Sequence, residues 1–560
     1  MSETIWLTDL SSCTPPDALA ASPCRDRWHV VDYDAGAVKG RMITAQATVD
    51  APPVHLALKA HGWHAIALGV WTGIYGDVRI KYRLAGEPVF TPIHIPHQFH
   101  FDRTEIVETF PFYALLADEP LVLAKDNSCH PPATACVAYV KLRPLTGEEV
   151  AAVTRDRART DTRRIIALND GEGLFGGSCP RTGKELLEQV EPYRHSDVGK
   201  VLWGVNMGDL TFYPSKLGKF CHVQSEGVYP SWERENAAES FKALARSGVT
   251  VPFKAVMEHV HSMGLEFHTY YRLAIADHSI LSADSFFVRD HPEWRMIAKD
   301  GTPLIKASYA FPEVRHFMVS LIEEAMAYDI DGVNLCFIRG PEYFGYEKPV
   351  IDDFVTLYGS DPRELPDDDA RLLKLRAGYL TEFVRAVRRA ADRHGTRRGR
   401  RIQVSAWIEW SAERMRYFGY DSRAWIEEGL LDFILAIGPA DLIALAREKG
   451  CGVYGFGNSA WPTTPLESHV QDMKHAYAAG LDGLALWDLN AVQGNPERWA
   501  VLSRLGHRQE VMDLSPFPQH LPKMPRLKML SVAGRDFSHT EYRDAPGAIP
   551  PEMLSVYTGG

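Results

Sequence analysis

From residue 164 onward, short apolar runs alternate with amphipathic stretches. The runs span 164–170, 200–209, 266–274, 332–340, 402–410, 432–439, 453–461 and 483–490. Each is bounded by turn residues, as Asp331-Gly332 and Gly340-Pro341 bound the fourth. Apolar runs closed off in this way read as parallel strands covered on both faces. Helical periodicity falls between most of them, at 183–190, 237–246 with 253–263, 314–328, 370–394, 422–428, 441–448 and 467–479, and 497–504 follows the last run. Eight strand-then-helix units predict an α/β chain with a (β/α)8 TIM barrel over residues 161–510. An open doubly wound sheet competes, but no Gly-x-Gly-x-x-Gly follows the first run.

Residues 1–160 follow another pattern. Runs at 42–49, 55–58, 64–70, 78–84, 106–112 and 136–142 are cut by Pro, Gly and Asp turns, with little helical spacing. An N-terminal all-β, sandwich-like accessory domain is expected, joined to the barrel by a charged helical connector at 148–163. Two long insertions, 210–265 and 275–331, should lie over the C-terminal face of the barrel, and 286–301 reads as a hairpin. The extension 511–560 is Pro-rich with β-like pieces at 528–533 and 554–557, and is expected to pack back on the β-domain.

Composition narrows the partners. Lys and Arg number 61 against 72 Asp and Glu, a net charge of −11, and the only basic run is the short 397–401 loop. That balance argues against nucleic acid and against an anionic membrane surface. No apolar stretch has bilayer length, the first ten residues carry no leader pattern, and the 8 cysteines are scattered without Cys-x-x-Cys. Reduced thiols and a cytoplasmic location are expected. His94, His97 and His100 lack partner Cys or carboxylate spacing, and His259 and His261 face different sides of a helix. No metal and no cofactor are therefore expected, and neither a P-loop nor a Gly-x-Ser-x-Gly elbow occurs.

Barrel active sites form at the C-terminal ends of the strands. The first run ends in Asn169 and Asp170, the second in Asn206 and Asp209. The third carries His268, Tyr270 and Arg272 on one face by alternation. The fourth ends in Cys336, Arg339 and Glu342, followed by Glu347 in an aromatic loop; the fifth carries Trp407, Glu409 and Trp410. The seventh ends in Asn458 and Trp461, the eighth in Trp487 and Asp488. Carboxylates among tryptophans suit sugars, whose C–H faces stack on indoles while hydroxyls pair with carboxylate, amide and guanidinium. Glycosidic cleavage needs one protonated and one ionised carboxyl. Glu409 is the expected general acid and Asp488 the second carboxylate, which positions or activates water. Strands five and eight lie on separate sides of a barrel, which favours the inverting spacing of ~6.5–9.5 Å over ~5–5.5 Å. Glu342 and Glu347 are reserve acids. Arg339, Asp170, Asp209 and His268 are expected to bind hydroxyls, and Trp407, Trp410, Trp461 and Trp487 to stack on rings. Asn206, Tyr270, Cys336 and Asn458 complete the expected substrate-binding set.

A family resemblance rests on Tyr328-Asp329-Ile330-Asp331-Gly332-Val333-Asn334-Leu335-Cys336-Phe337-Ile338-Arg339. This resembles the fourth-strand motif of the family-10-like glycosyl hydrolases, where an Asp-Gly turn leads into a strand ending in Asp, two residues and Arg. Further matches are Gly264-Leu265-Glu266-Phe267-His268, Trp425-Ile426-Glu427-Glu428-Gly429-Leu430-Leu431-Asp432 and Ala479-Gly480-Leu481-Asp482-Gly483-Leu484-Ala485-Leu486-Trp487-Asp488. The resemblance covers about 160–510 and implies a (β/α)8 barrel and glycoside hydrolysis. Where the family motif has its strand-end Asp, this chain has Cys336, so catalysis rests on other carboxylates or involves the thiol. The expected function is a glycoside hydrolase acting at the chain ends of oligosaccharides or glycosides. Two rivals stand beside it. One is a sugar-acid lyase or isomerase, with Arg339 holding a carboxylate and Tyr270 or His268 as base. The other is a non-catalytic carbohydrate-binding protein. The β-domain is expected to bind glycan, to buttress the barrel, or to form a homo-oligomer contact.

Overall fold

The computed structural model describes residues 3–72, 77–96, 104–127, 132–221, 231–275, 285–409, 411–436, 439–457 and 463–537. Eight parallel strands close on themselves: β1 (Ile165–Asn169), β2 (Val198–Met207), β3 (Glu266–Arg272), β4 (Gly332–Cys336), β5 (Gln403–Trp407), β6 (Phe433–Leu435), β7 (Gly452–Phe456) and β8 (Gly483–Trp487). Closure comes from β8 pairing with β1, which in turn pairs with β2. All eight expected strands are present, most ending two to four residues earlier than their apolar runs. Helices Glu172–Gly177, Lys348–Tyr358 and Ala412–Phe418 are additional, lying in the connections after β1, β4 and β5.

Period-2 alternation divides each strand between two cores. Ile166, Leu168, Leu202, Tyr270, Cys336, Trp407, Phe433, Leu435 and Ala485 fill the barrel interior. Their neighbours Ala167, Val201, Phe267, Tyr271, Val333, Leu335, Val404 and Ala406 pack outward with the helices. Strands buried on both faces have no reason to alternate in polarity, so they appear as continuous apolar runs.

The Asp residues that precede β4, β6 and β8 share one structural job. Asp331 accepts the Phe267 N–H at 2.8 Å, Asp432 the Val404 N–H at 2.8 Å and Asp482 the Val453 N–H at 2.8 Å. Each thus staples the start of its own strand to the second residue of the preceding one. The glycines that follow Asp331 and Asp482 are required by close approach: a Cβ on Gly483 would overlap the Arg164 carbonyl oxygen, and one on Gly332 the His268 ring. These Asp-Gly motifs therefore lie at the N-terminal face and serve stability, away from the face where barrel chemistry occurs.

The N-terminal region forms three sheets. The expected run 106–112 is two strands, Glu105–Glu108 and Phe112–Ala117, separated at Pro111. The run 136–142 is also two, since the chain leaves one sheet at Val137 and enters another at Tyr139. Trp28–Asp34, Thr91–Ile95 and Leu121–Lys125 are further strands that the turn spacing did not reveal. The C-terminal extension returns to this region, Arg526–Lys528 pairing with Glu105–Val107 and Ser531–Val532 with Tyr33 and Asp34. The piece 554–557 lies outside the described residues. The stretch expected to be one hairpin begins with a helical turn, Phe287–Asp290, and only then forms a hairpin, Arg295–Ile297 with Pro303–Ala307. A buried ion pair from Lys81 to Glu188 (2.9 Å) ties the β-region to the barrel. The His94 N–H donates to the Gly494 carbonyl at 2.6 Å, in the segment that follows β8. Among the described residues no helix is long and apolar enough to cross a membrane.

Candidate active site at the barrel mouth

Two residues along a strand is about 6.6 Å of height, so the inner-face residues form layers. The lowest tier, which takes in the first two inward positions of β3, holds Lys200, Glu266, His268 and Gln403; Gln403 donates to Glu266 at 2.9 Å and His268 lies 3.1 Å from the same carboxylate. The middle layer is apolar except for Tyr270, whose hydroxyl donates to the Cys336 sulfur at 3.1 Å, and for Asn334, whose Nδ2 donates to Ser405 Oγ at 2.9 Å. Above it, at the C-terminal mouth, the polar groups meet.

Asp170 follows β1 and Arg272 ends β3. The Arg272 Nε donates to Asp170 Oδ1 at 2.9 Å, and its Nη2 reaches the other oxygen. Burial pushes the Asp170 carboxyl up, yet Asp170 drives the neighbouring Arg272 guanidinium higher still, and the bidentate geometry is that of an ion pair. Arg339, beyond β4, brings Nη2 to 3.6 Å from Asp170 and lies over the Trp487 ring at 4.7 Å. Asp488 follows β8 in left-handed backbone, φ +48°, and accepts the Asp170 N–H at 3.2 Å. Burial, and then the negative charge of Asp170, push the Asp488 carboxyl from 3.8 up to about 6. Glu409 stands two positions past Trp407 on the inward face of β5. Its Oε1 pairs with Arg414 Nη2 at 2.9 Å, and its Oε2 is buried with no hydrogen bond among the described residues. Arg414 is the third residue of helix Ala412–Phe418, whose N-cap is Ser411.

Asp170, Arg339 and Asp488 of the expected set meet at the mouth, and Glu409 stands past the end of β5 on the same face of the barrel. Other expected residues stand elsewhere. His268 is on the inward face but in the lowest layer, and burial pushes its pKa down. Alternation gives a face and says nothing of depth. Glu347 is buried and accepts from the Ser308 hydroxyl and from the Gly345 and Ile297 N–H groups, holding the loop after β4 against the 295–307 hairpin. Asp209 accepts from Ser285 Oγ and the N–H groups of Phe286 and Phe287, closing the insertion after β3 onto β2. Asn206 ties β2 to β3 through the Arg272 backbone. Glu342 is exposed, with φ +76°.

The stacking platforms are filled by the protein itself. Trp407 is 2% exposed and packs on Phe456 (4.4 Å) and Trp487 (4.9 Å), while the Trp487 face carries Arg339. Trp410, Asn458 and Trp461 fall outside the described residues. Burial pushes the Cys336 thiol up to about 11, which leaves it neutral near pH 7 and a poor nucleophile. Arg414 is the partner that sequence reasoning did not put at the site, and Arg272, though placed on the inward face of the third run, was given no role. The serine N-cap at 411 is the one local signal for Arg414, and nothing local links Arg272 to Asp170. Among the described residues no group of three or more His, Cys, Asp or Glu is placed to hold a metal.

A closed parallel barrel with buried ion pairs and a perturbed carboxyl at its C-terminal mouth defines a class, the TIM barrels. Residues 199–437, from β2 through β6, match the family model described as glycosyl hydrolase-like 10. An S-layer-related protein of Niallia circulans is 24% identical over 30% of this chain, and the chain spans 13% of that relative's length. Among solved structures, an α-galactosidase from Thermus thermophilus aligns with 92% of this chain and 100% of its own at 11% identity, TM-score 0.33. The CBM22-1–GH10 modules of the Clostridium thermocellum endo-1,4-β-D-xylanase 10B align with 82% of this chain and 86% of their own at 10% identity, TM-score 0.29.

Proposed function

We propose that the barrel is a glycoside hydrolase with Asp488 as general acid and Glu409 as the ionised carboxylate. The carrying observation is the contrast between their surroundings. Asp488 is driven up to about 6 beside Asp170, so it holds a proton in mildly acid solution, up to about pH 6. Glu409 sits in an ion pair with Arg414 and keeps one oxygen, Oε2, unengaged. These roles reverse the expectation from sequence, which had Glu409 as the acid. In the reaction Asp488 gives its proton to the glycosidic oxygen as the C–O bond breaks. The free Glu409 oxygen takes a proton from the attacking water. Arg272 keeps Asp170 charged, and that charge keeps Asp488 protonated.

The long connections β2–β3 and β3–β4 support action at chain ends. Free cysteines at seven described positions suit a reducing, cytoplasmic setting. The test is a chromogenic glycoside panel assayed with wild type, Glu409→Gln and Asp488→Asn. Glu409→Gln should lose about 10²–10⁴-fold on every substrate. Asp488→Asn should lose as much on poor leaving groups and far less on activated aryl ones. Near-wild-type rates in both variants would end the assignment. Product formed in heavy-oxygen water separates hydrolysis, which incorporates label, from elimination, which does not.

A further inference from the structure

Arg339 has more donors than partners. Among the described residues its guanidinium makes no hydrogen bond; its contacts are the 3.6 Å approach to Asp170 and the stack on Trp487. Asp170 has little left to offer, because both its oxygens are engaged by Arg272. Counting charge around the mouth, Arg272 cancels Asp170 and Arg414 cancels Glu409. Among the described residues Arg339 is then the cation without a carboxylate of its own, as long as Asp488 holds its proton below about pH 6. Its side chain is 37% exposed, and its Cζ lies over the Trp487 ring at 4.7 Å, a cation–π contact that limits its freedom before any ligand arrives. That same stack covers the Trp487 face, which moves recognition here from ring stacking toward charge.

We propose that the sugar bound in the mouth carries a carboxylate, as a uronic acid residue does, and that Arg339 takes it through two parallel N–H···O bonds. This rests on the reading of the mouth as a glycosidase site and names its substrate class. A single guanidinium matches a planar, singly charged, two-oxygen group in shape and charge. A phosphate ester of nearly two charges would leave one uncompensated in the same setting.

The experiment pairs binding with turnover. Calorimetric titration of wild type, R339Q and R339K uses glucuronate, galacturonate, glucose, galactose and glucose 6-phosphate. Hydrolysis compares nitrophenyl glucuronides and galacturonides with the matching neutral glycosides. Wild type should favour at least one uronate over its neutral counterpart by about tenfold or more. R339Q should level that preference, and R339K should keep part of it, since lysine retains the charge without the fork. Equal or better use of neutral sugars, no binding of either uronate, tightest binding of the phosphate, or a preference that survives in R339Q would each overturn the proposal. Uronate binding that depends on Arg339 without cleavage of any glycoside would sink the hydrolase reading and leave this one standing. Cleavage confined to neutral glycosides would do the reverse. Far-ultraviolet dichroism and melting of R339Q should match wild type, since the side chain holds no hydrogen bond among the described residues.

Discussion

Asp488→Asn should make the protein more stable near neutral pH while removing the proposed proton donor. The substitution suits the position: Asn is isosteric, tolerates the left-handed backbone at φ +48°, and can still accept the Asp170 N–H. In wild type the folded chain holds the Asp488 proton more tightly than the unfolded chain, because its pKa rises from 3.8 to about 6. The favourable contribution of that proton is intact below pH 3.8 and is lost as pH climbs through about 6. A shift of roughly two units, at about 1.4 kcal/mol per unit, sets the loss at about 2–3 kcal/mol. Asparagine carries no charge to pay for, so the variant should gain about that much above pH 6 and almost nothing below pH 4. Urea midpoints read by tryptophan fluorescence, with wild type and variant side by side at about pH 7.5 and about pH 4, measure the difference. A variant no more stable than wild type at the higher pH would refute the reasoning. A gain of equal size at both would also refute it, since packing rather than ionisation would then be the cause.

Two further outcomes follow from the buried groups. Arg272→Met strips Asp170 of its bidentate partner and should cost about 3–5 kcal/mol by the same unfolding assay. Adding Asp170→Asn should recover most of the loss, because the penalty lies in the stranded charge. Cys336 should resist iodoacetamide in the native protein near neutral pH and react only on unfolding, as mass spectrometry of its peptide would reveal. Rapid native labelling would mean an exposed thiolate and return the sulfur to the chemistry.

Much of the architecture was legible because it rests on local chemistry. A strand covered on both faces must be apolar throughout, and an Asp-Gly turn must precede a strand whose first residue has a neighbour's carbonyl in the place of a Cβ. Those rules put all eight barrel strands in view. The tips of the runs also held Asp170, Glu409 and Asp488, which lie past the C-terminal ends of their strands, together with Arg339. They held just as many residues that turned out to staple loops or to sit deep in the barrel, such as Glu347, Asp209 and His268. Alternation along a strand tells which way a side chain points. It does not tell how high it sits, or which insertion folds down onto it.

What sequence alone determined, then, is the set of strands, the face each residue takes and the candidate polar tips, since these depend on neighbours one to four positions away. Which carboxyl keeps its proton was decided only by tertiary structure. Asp170 and Asp488 are 318 positions apart and meet because β8 closes onto β1. Arg272 reaches Asp170 across 102 positions, from β3. Charge acts through space, and the distances that tune these groups exist only once the barrel is shut.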